Sequence, residues 1–133
     1  MQREIKFRGK RVDTGQWVYG YYAERFNNYH VIYASEIYNG DCFIVAYPVM
    51  PETVGQYTGL KDENGIEIYE GDIVTGLFGH TDIIGHIIYG SDATFFIERK
   101  GLYGIGLNNA EDWLEVIGDI YDNPEFLKEV DIT

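Results

Sequence analysis

The sequence predicts a mainly β chain, with an N-terminal β-hairpin and meander subdomain over residues 1–53 and a small barrel ending in a short helix over residues 54–133. Three observations lead there. Apolar residues alternate with polar ones more often than they recur at helical spacing. Glycine is dense, 16 in 133 residues, so strands between turns must be short. Pro48 and Pro51 interrupt the middle of the chain, because proline offers no N–H to a strand ladder. Short strands joined by tight turns close most economically into a barrel, which leaves no exposed edge.

The elements follow in order. Ile5 and Phe7 alternate with Lys6 and Arg8 as in a half-buried strand. Asp13-Thr14-Gly15 is a turn, and Trp17, Tyr19 and Tyr21 then share one face of a strand over residues 16–22. Residues 30–32 and 42–47 form two further strands, separated by Asn39-Gly40-Asp41. After Pro51, Asn64-Gly65 supplies the positive φ needed by a primed turn or a bulged type I turn. Strands are expected over residues 66–69, 73–75, 83–89, 94–97 and 113–117. The stretch 108–117 also carries a helical stripe of Ala110, Trp113, Leu114 and Ile117, but the β-branched pair Val116-Ile117 favours a strand. Only the tail reads as a helix: Asn123 as N-cap, Pro124 as first residue and Glu125 at the positive end, running to Val130.

Composition narrows the function. Hydrophobic residues make up 45% and aromatics 16%, enough for a core and too many for disorder. No apolar run approaches the roughly 20 residues of a bilayer-spanning helix, and the charged start is not that of a signal peptide. One cysteine, Cys42, rules out an intramolecular disulfide and suits a cytoplasmic protein. The net charge of −12 is uneven: residues 1–25 carry +3 and residues 26–133 carry −15. Arg3, Lys6, Arg8, Lys10 and Arg11 crowd the start, next to Trp17 and Tyr19. Cations beside aromatics are one recipe for single-stranded nucleic acid. The alternative is that these cations face the protein's own acidic body, or a second copy's, while the aromatics form core; the acidic excess favours it.

Catalytic and metal chemistry find little support. His80, Asp82 and His86 would share a strand face, but about 20 Å of extended chain separates the two histidines, so they read as surface groups rather than metal ligands. Asp62-Glu63-Asn64-Gly65 fails as a calcium loop, since the sixth and twelfth positions are Glu67 and Ile73 rather than Gly and Glu. Cys42 lacks an activating neighbour and reads as a small buried cysteine. Gly101, Gly104 and Gly106 lack the Lys-Ser/Thr of a phosphate loop. Glu67, Glu70 and Asp72 read as a solvated strand edge. The chain therefore presents no catalytic constellation and no cofactor site.

Three segments nevertheless form a pattern: Arg3-Glu4-Ile5-Lys6-Phe7-Arg8-Gly9-Lys10, then Gln56-Tyr57-Thr58-Gly59-Leu60-Lys61-Asp62-Glu63-Asn64-Gly65 with Ile68-Tyr69-Glu70-Gly71-Asp72-Ile73-Val74, and Glu115-Val116-Ile117-Gly118-Asp119-Ile120-Tyr121-Asp122-Asn123-Pro124-Glu125. Together they resemble the YopX family of small proteins encoded by phages and prophages, mostly of Gram-positive hosts. The resemblance implies a later part like an SH3-like barrel and the cytoplasm of a bacterial host. It implies no activity, cofactor or catalytic residue. Tyr57, Gly59, Asp62, Asn64, Gly65, Tyr69, Gly71 and Asp72 match its central motif, and the reasons visible for them concern folding: positive φ at Gly65, side-chain turn bonds at Asp62 and Asn64.

The expected function is a non-enzymatic accessory module that binds a host or phage protein. Nucleic-acid binding through the basic hairpin is the alternative, and a metal-dependent hydrolase using His80, Asp82 and His86 a more remote one. A homo-oligomer with the basic edge of one copy on the acidic body of another is a further expectation; a membrane partner is not.

Overall fold

The computed structural model describes residues 4–26 and 28–128. The described chain is mainly β, as expected, and divides into two compact units, Met1–Tyr57 and Thr58–Thr133.

The first unit holds β1 (Phe7–Lys10), β2 (Trp17–Arg25), β3 (Tyr29–Tyr38), β4 (Asp41–Pro48), a 3-10 turn at Pro51–Thr53 and the start of β5 (Gly55–Lys61). These strands lie in the order β4-β3-β2-β1-β5, all described pairs antiparallel. The first hairpin forms as alternation predicts, with Arg8 opposite Tyr19 and Lys10 opposite Trp17. Gly20 lets β3 approach closely, since a Cβ there would sit 2.0 Å from the Tyr33 carbonyl oxygen. The prolines do not end the sheet. Arg11 bridges Val49, the Val12 N–H donates to the Pro48 carbonyl and Gly55 and Gln56 pair with β1, so the sheet curls until the end of β1 meets the end of β4. Its buried apolar residues are few: Val31, Ile32, Ala34, Val49 and Tyr57.

The sequence reading shortens the second hairpin. β3 spans ten residues rather than three, and it pairs with β4 without a break from Val31 opposite Pro48 to Tyr38 opposite Asp41. Asn39 and Gly40 both have positive φ, 52° and 83°, the geometry of a two-residue primed turn.

The second unit contains the end of β5, β6 (Glu67–Tyr69), β7 (Asp72–Phe78), β8 (Thr81–Tyr89), β9 (Phe95–Glu98), β10 (Ile105–Gly106), α1 (Ala110–Trp113), β11 (Leu114–Asp119) and α2 (Glu125–Lys128). Five strands form an antiparallel sheet in the order β10-β9-β8-β7-β11. This sheet is open, not the closed small barrel the turn pattern predicts. The physical reason lies at its ends: β10 has two residues, too short to carry a ladder onward, and β11 meets on its outer side a turn, not a strand. One side of the sheet packs a dense aliphatic core of Ile68, Val74, Ile83, Ile87, Ile97, Ile105, Leu107 and Leu114. The ambiguous stretch 108–117 resolves into both readings in turn, one helical turn at α1 and then β11, with Asn109 in the left-handed region at φ 58° just before α1. α2 begins at Glu125, and residues 129–133, where the sequence carries that helix to Val130, lie outside the described residues.

Candidate functional site

The basic edge comes first because its charge is the most uneven feature of the sequence. Arg3 lies outside the described residues. Arg8 is buried, with its guanidinium carbon 4.2 Å from the centre of the Trp17 ring, and Lys10 Nζ lies 5.3 Å from the same ring. Lys6 Nζ sits 5.3 Å from the Tyr57 ring and 3.5 Å from the Glu4 carboxylate. Arg11 grips Asp13 through two bonds, Nε to Oδ1 at 2.9 Å and Nη2 to Oδ2 at 2.7 Å, while its guanidinium carbon lies 4.5 Å from the Tyr47 ring. That hydrogen-bonded pairing holds the Asp13 carboxyl below its ordinary range. Tyr47 in turn donates to Glu36 at 2.8 Å, and this bond raises its hydroxyl above the usual tyrosine value. These cations meet ring faces and nearby carboxylates. The expectation that the aromatics beside them form core is corrected: Tyr19 and Tyr21 are 47% and 70% exposed. Both lie on the face that β2 shares with Arg8 and Lys10 across the hairpin, and that face is covered over Arg8 but not over the two tyrosines.

The central motif is built around carboxylates. Asp62 is 2% exposed, and its Oδ1 accepts the N–H groups of Asn64 and Ile66 at 2.8 and 2.9 Å. Its Oδ2 accepts the N–H of Val116, fifty-four positions on, at 2.9 Å. The neighbouring Glu63 N–H donates to the Leu114 carbonyl. One side chain thus shapes the Asn64-Gly65 turn and fastens it to β11. Gly65 has φ 80° while Asn64 does not have positive φ, which selects the bulged type I turn over the primed one. The bond at Asn64 uses its backbone N–H.

Asp72 is also buried, and its Oδ2 accepts the Tyr69 N–H at 2.7 Å. The reading of Asp72 as part of a solvated edge is therefore corrected: the Glu70-Gly71 turn tucks the carboxylate back onto the strand before it. Gly71 donates to the Ile87 carbonyl and accepts from the Ile120 N–H. Asp119 repeats the device, with Oδ1 accepting from Tyr121 and Asp122 at 2.9 and 2.8 Å. Tyr57 and Tyr69 are core residues, and Gly59 has φ 88° at the bend of β5.

His80 falls in the turn between β7 and β8, whereas Asp82 and His86 lie on one face of β8, with His86 opposite Glu98 on β9. Among the described residues no group of three or more His, Cys, Asp or Glu is placed to hold a metal ion. No described helix is long and apolar enough to cross a membrane. Cys42 is exposed, not buried as expected, because it sits in the outer part of the β3–β4 hairpin, beyond the reach of β2.

The length and exposure of that hairpin are what sequence reasoning missed. Pairing of β2 with β3 ends at Tyr21 opposite Tyr33, so residues 35–44 form a ribbon of two strands only. Ile37, Tyr38, Phe43 and Ile44 on it are 79%, 70%, 50% and 66% exposed. Register places Ile37, Cys42 and Ile44 on one face and Tyr38 and Phe43 on the other. The signal was present: Asn39-Gly40 flanked by Ile37-Tyr38 and Cys42-Phe43-Ile44 is a strong hairpin pattern, and it implies strands running right up to the turn.

Fold and site together define a small, mainly β chain with a carboxylate-fastened turn motif and a bare strand ribbon. The chain belongs to the YopX protein family, whose pattern it matches over residues 6–128. Among solved structures it is similar to protein EF1440 from Enterococcus faecalis, with 28% identical residues and a TM-score of 0.60 over 95% of this chain and 99% of that one. Comparison with curated proteins finds no match.

Proposed function

We propose that this protein is a non-enzymatic protein-binding module, a phage or prophage accessory protein of the bacterial cytoplasm, and that it binds through the β3–β4 ribbon. One observation carries this reading. β4 is a terminal strand of eight residues with a single charge, Asp41, and the ribbon around it exposes four large apolar side chains. Soluble proteins usually guard such edges with lysines, bulges or short strands. A strand left regular and apolar is suited to strand addition, in which backbone bonds supply affinity and alternate side chains supply selectivity.

The nucleic-acid reading draws less support. Arg8 and Lys10 lie on Trp17 and Arg11 on Asp13, and the net charge of −12 repels a polyanion. The hydrolase reading has no observation in its favour.

Site-specific photocrosslinking tests the proposal. With p-benzoylphenylalanine in place of Phe43, irradiation of producing bacterial cells is expected to join the chain to a second polypeptide, and Ile44→Lys is expected to abolish the adduct. No adduct from position 43, or one indifferent to Ile44→Lys, overturns the proposal.

A further inference from the structure

We infer that the polypeptide received by β4 is a second copy of this chain, paired antiparallel about a two-fold axis through Ile44. The inference rests on the protein-binding reading above and names its partner. The backbone sets the register. The Val49 N–H donates inward to the His30 carbonyl on β3, whereas the Pro48 carbonyl accepts outward from Val12. In an antiparallel ladder these directions alternate along the strand, and β4 pairs with β3 without a bulge. The N–H and C=O groups of Ala46, Ile44 and Cys42 therefore face away from β3. Pro48 has no N–H and its carbonyl is already bonded, so among the described residues the open row is three residues long with Ile44 at its centre.

A strand can add to its own copy by a two-fold axis normal to the sheet, which leaves each face on its own side. Centred on Ile44, the axis sets Ile44 against Ile44, Cys42 against Ala46, Phe43 against Val45 and Asp41 against Tyr47. All three outward residues then find partners, and Pro48 falls just outside the ladder. Charge agrees with this direction. The only charged residues of the ribbon are Glu36 and Asp41, both acidic. Parallel pairing in register would set Asp41 against Asp41, whereas the antiparallel arrangement sets it against a tyrosine. Pairing also supplies what residues 35–44 lack, since two strands alone are marginal in water and further strands stabilise them. The resulting four-stranded ribbon gathers Ile37, Cys42 and Ile44 of both copies on one face and Tyr38 and Phe43 on the other.

The single cysteine supplies the probe. In this register the two Cys42 Cα atoms lie about 14 Å apart, four residues along the strand and one strand spacing across. Light scattering of the full chain should give twice the mass of 15.3 kDa. Nitroxides on Cys42 should show a single short distance between copies, on the order of 15–25 Å once the label arms are added to that spacing. Ile44→Lys should give a folded monomer with an unchanged circular dichroism spectrum, as should Ile44→Glu. Mixing the two should restore a dimer containing one of each, because only a centre at residue 44 sets that lysine against that glutamate. A monomeric wild type at 100 times the concentration found in cells, a dimer indifferent to Ile44→Lys, or a failure of the Lys and Glu variants to combine overturns the inference. The nitroxide distance needs no substitution, so it decides even where a variant folds poorly. The mass of the Phe43 photoadduct separates the two proposals: an adduct with a different protein sinks the second copy and leaves the binding module standing, while no adduct at all removes both.

Discussion

Residues 58–133 fasten their turns with buried carboxylates over an aliphatic core, whereas residues 1–57 have a thin core, stack their cations on rings and leave a ribbon bare. The difference concerns what each region must hold by itself. In the second unit the buried carboxylates of Asp62, Asp72 and Asp119 accept backbone N–H groups, so each braces a turn. In the first unit the charged groups meet rings and surface carboxylates, and toward the Asn39-Gly40 tip the sheet narrows to two strands. A carboxylate aimed at three amides stabilises architecture; apolar residues aimed at water await a contact.

The sharpest way to break this contrast is to cut into the core and the fastened turn of residues 58–133. Ile87→Ala, at a fully buried position, should cost about 3–4 kcal/mol of unfolding free energy measured by urea titration. Asp62→Ala should follow at about 3 kcal/mol, because a buried carboxylate's bonds to three amides are lost. Loss of hydrogen-exchange protection at Val116 would accompany it; a protected Val116 amide in that variant would show that the turn and β11 are held some other way. Arg8→Ala removes a desolvated cation from Trp17 and should cost about 1–2 kcal/mol, with the change visible in tryptophan fluorescence.

On the ribbon, Ile44→Ala should shift monomer stability by no more than about 0.5 kcal/mol. A large loss there would mean that the ribbon is core after all. The smallest effect belongs to Asp13. Arg11 lowers its folded-state pKa, so the stability it contributes is present above the ordinary carboxylate value of 3.8 and is lost as pH falls through the lowered one. Asp13→Asn and wild type should therefore converge in acid titrations, with only a slight gap at neutral pH because the pair is exposed.

Much of this was legible in the sequence. The first hairpin, the Asn64-Gly65 turn and the family pattern are all written in short stretches of residues. The resemblance, quoted from three segments, holds over residues 6–128. Where reading and structure part, long-range contacts explain it. The sequence reading gives β3 only residues 30–32; Ser35 and Glu36 beyond them stay extended through pairing with Ile44 and Phe43. The sequence reading groups Asp72 with Glu67 and Glu70 as a solvated edge, yet a turn of four residues folds it onto Tyr69. Cys42 was expected inside because cysteines usually are, and the ribbon carries it outside.

The sequence by itself determined the alternation, the positive-φ turns and the partition of charge, since these depend on residues within four or five positions of one another. It also determined that β4 would carry almost no charge. Only the tertiary structure decided that the Asp62 carboxylate reaches Val116, that the end of β1 occupies the Pro48 carbonyl, and that Cys42, Ile44 and Ala46 are left facing outward. A hydrogen bond across fifty-four positions and a free strand edge are both properties of which segments meet, and no local pattern of residues specifies that.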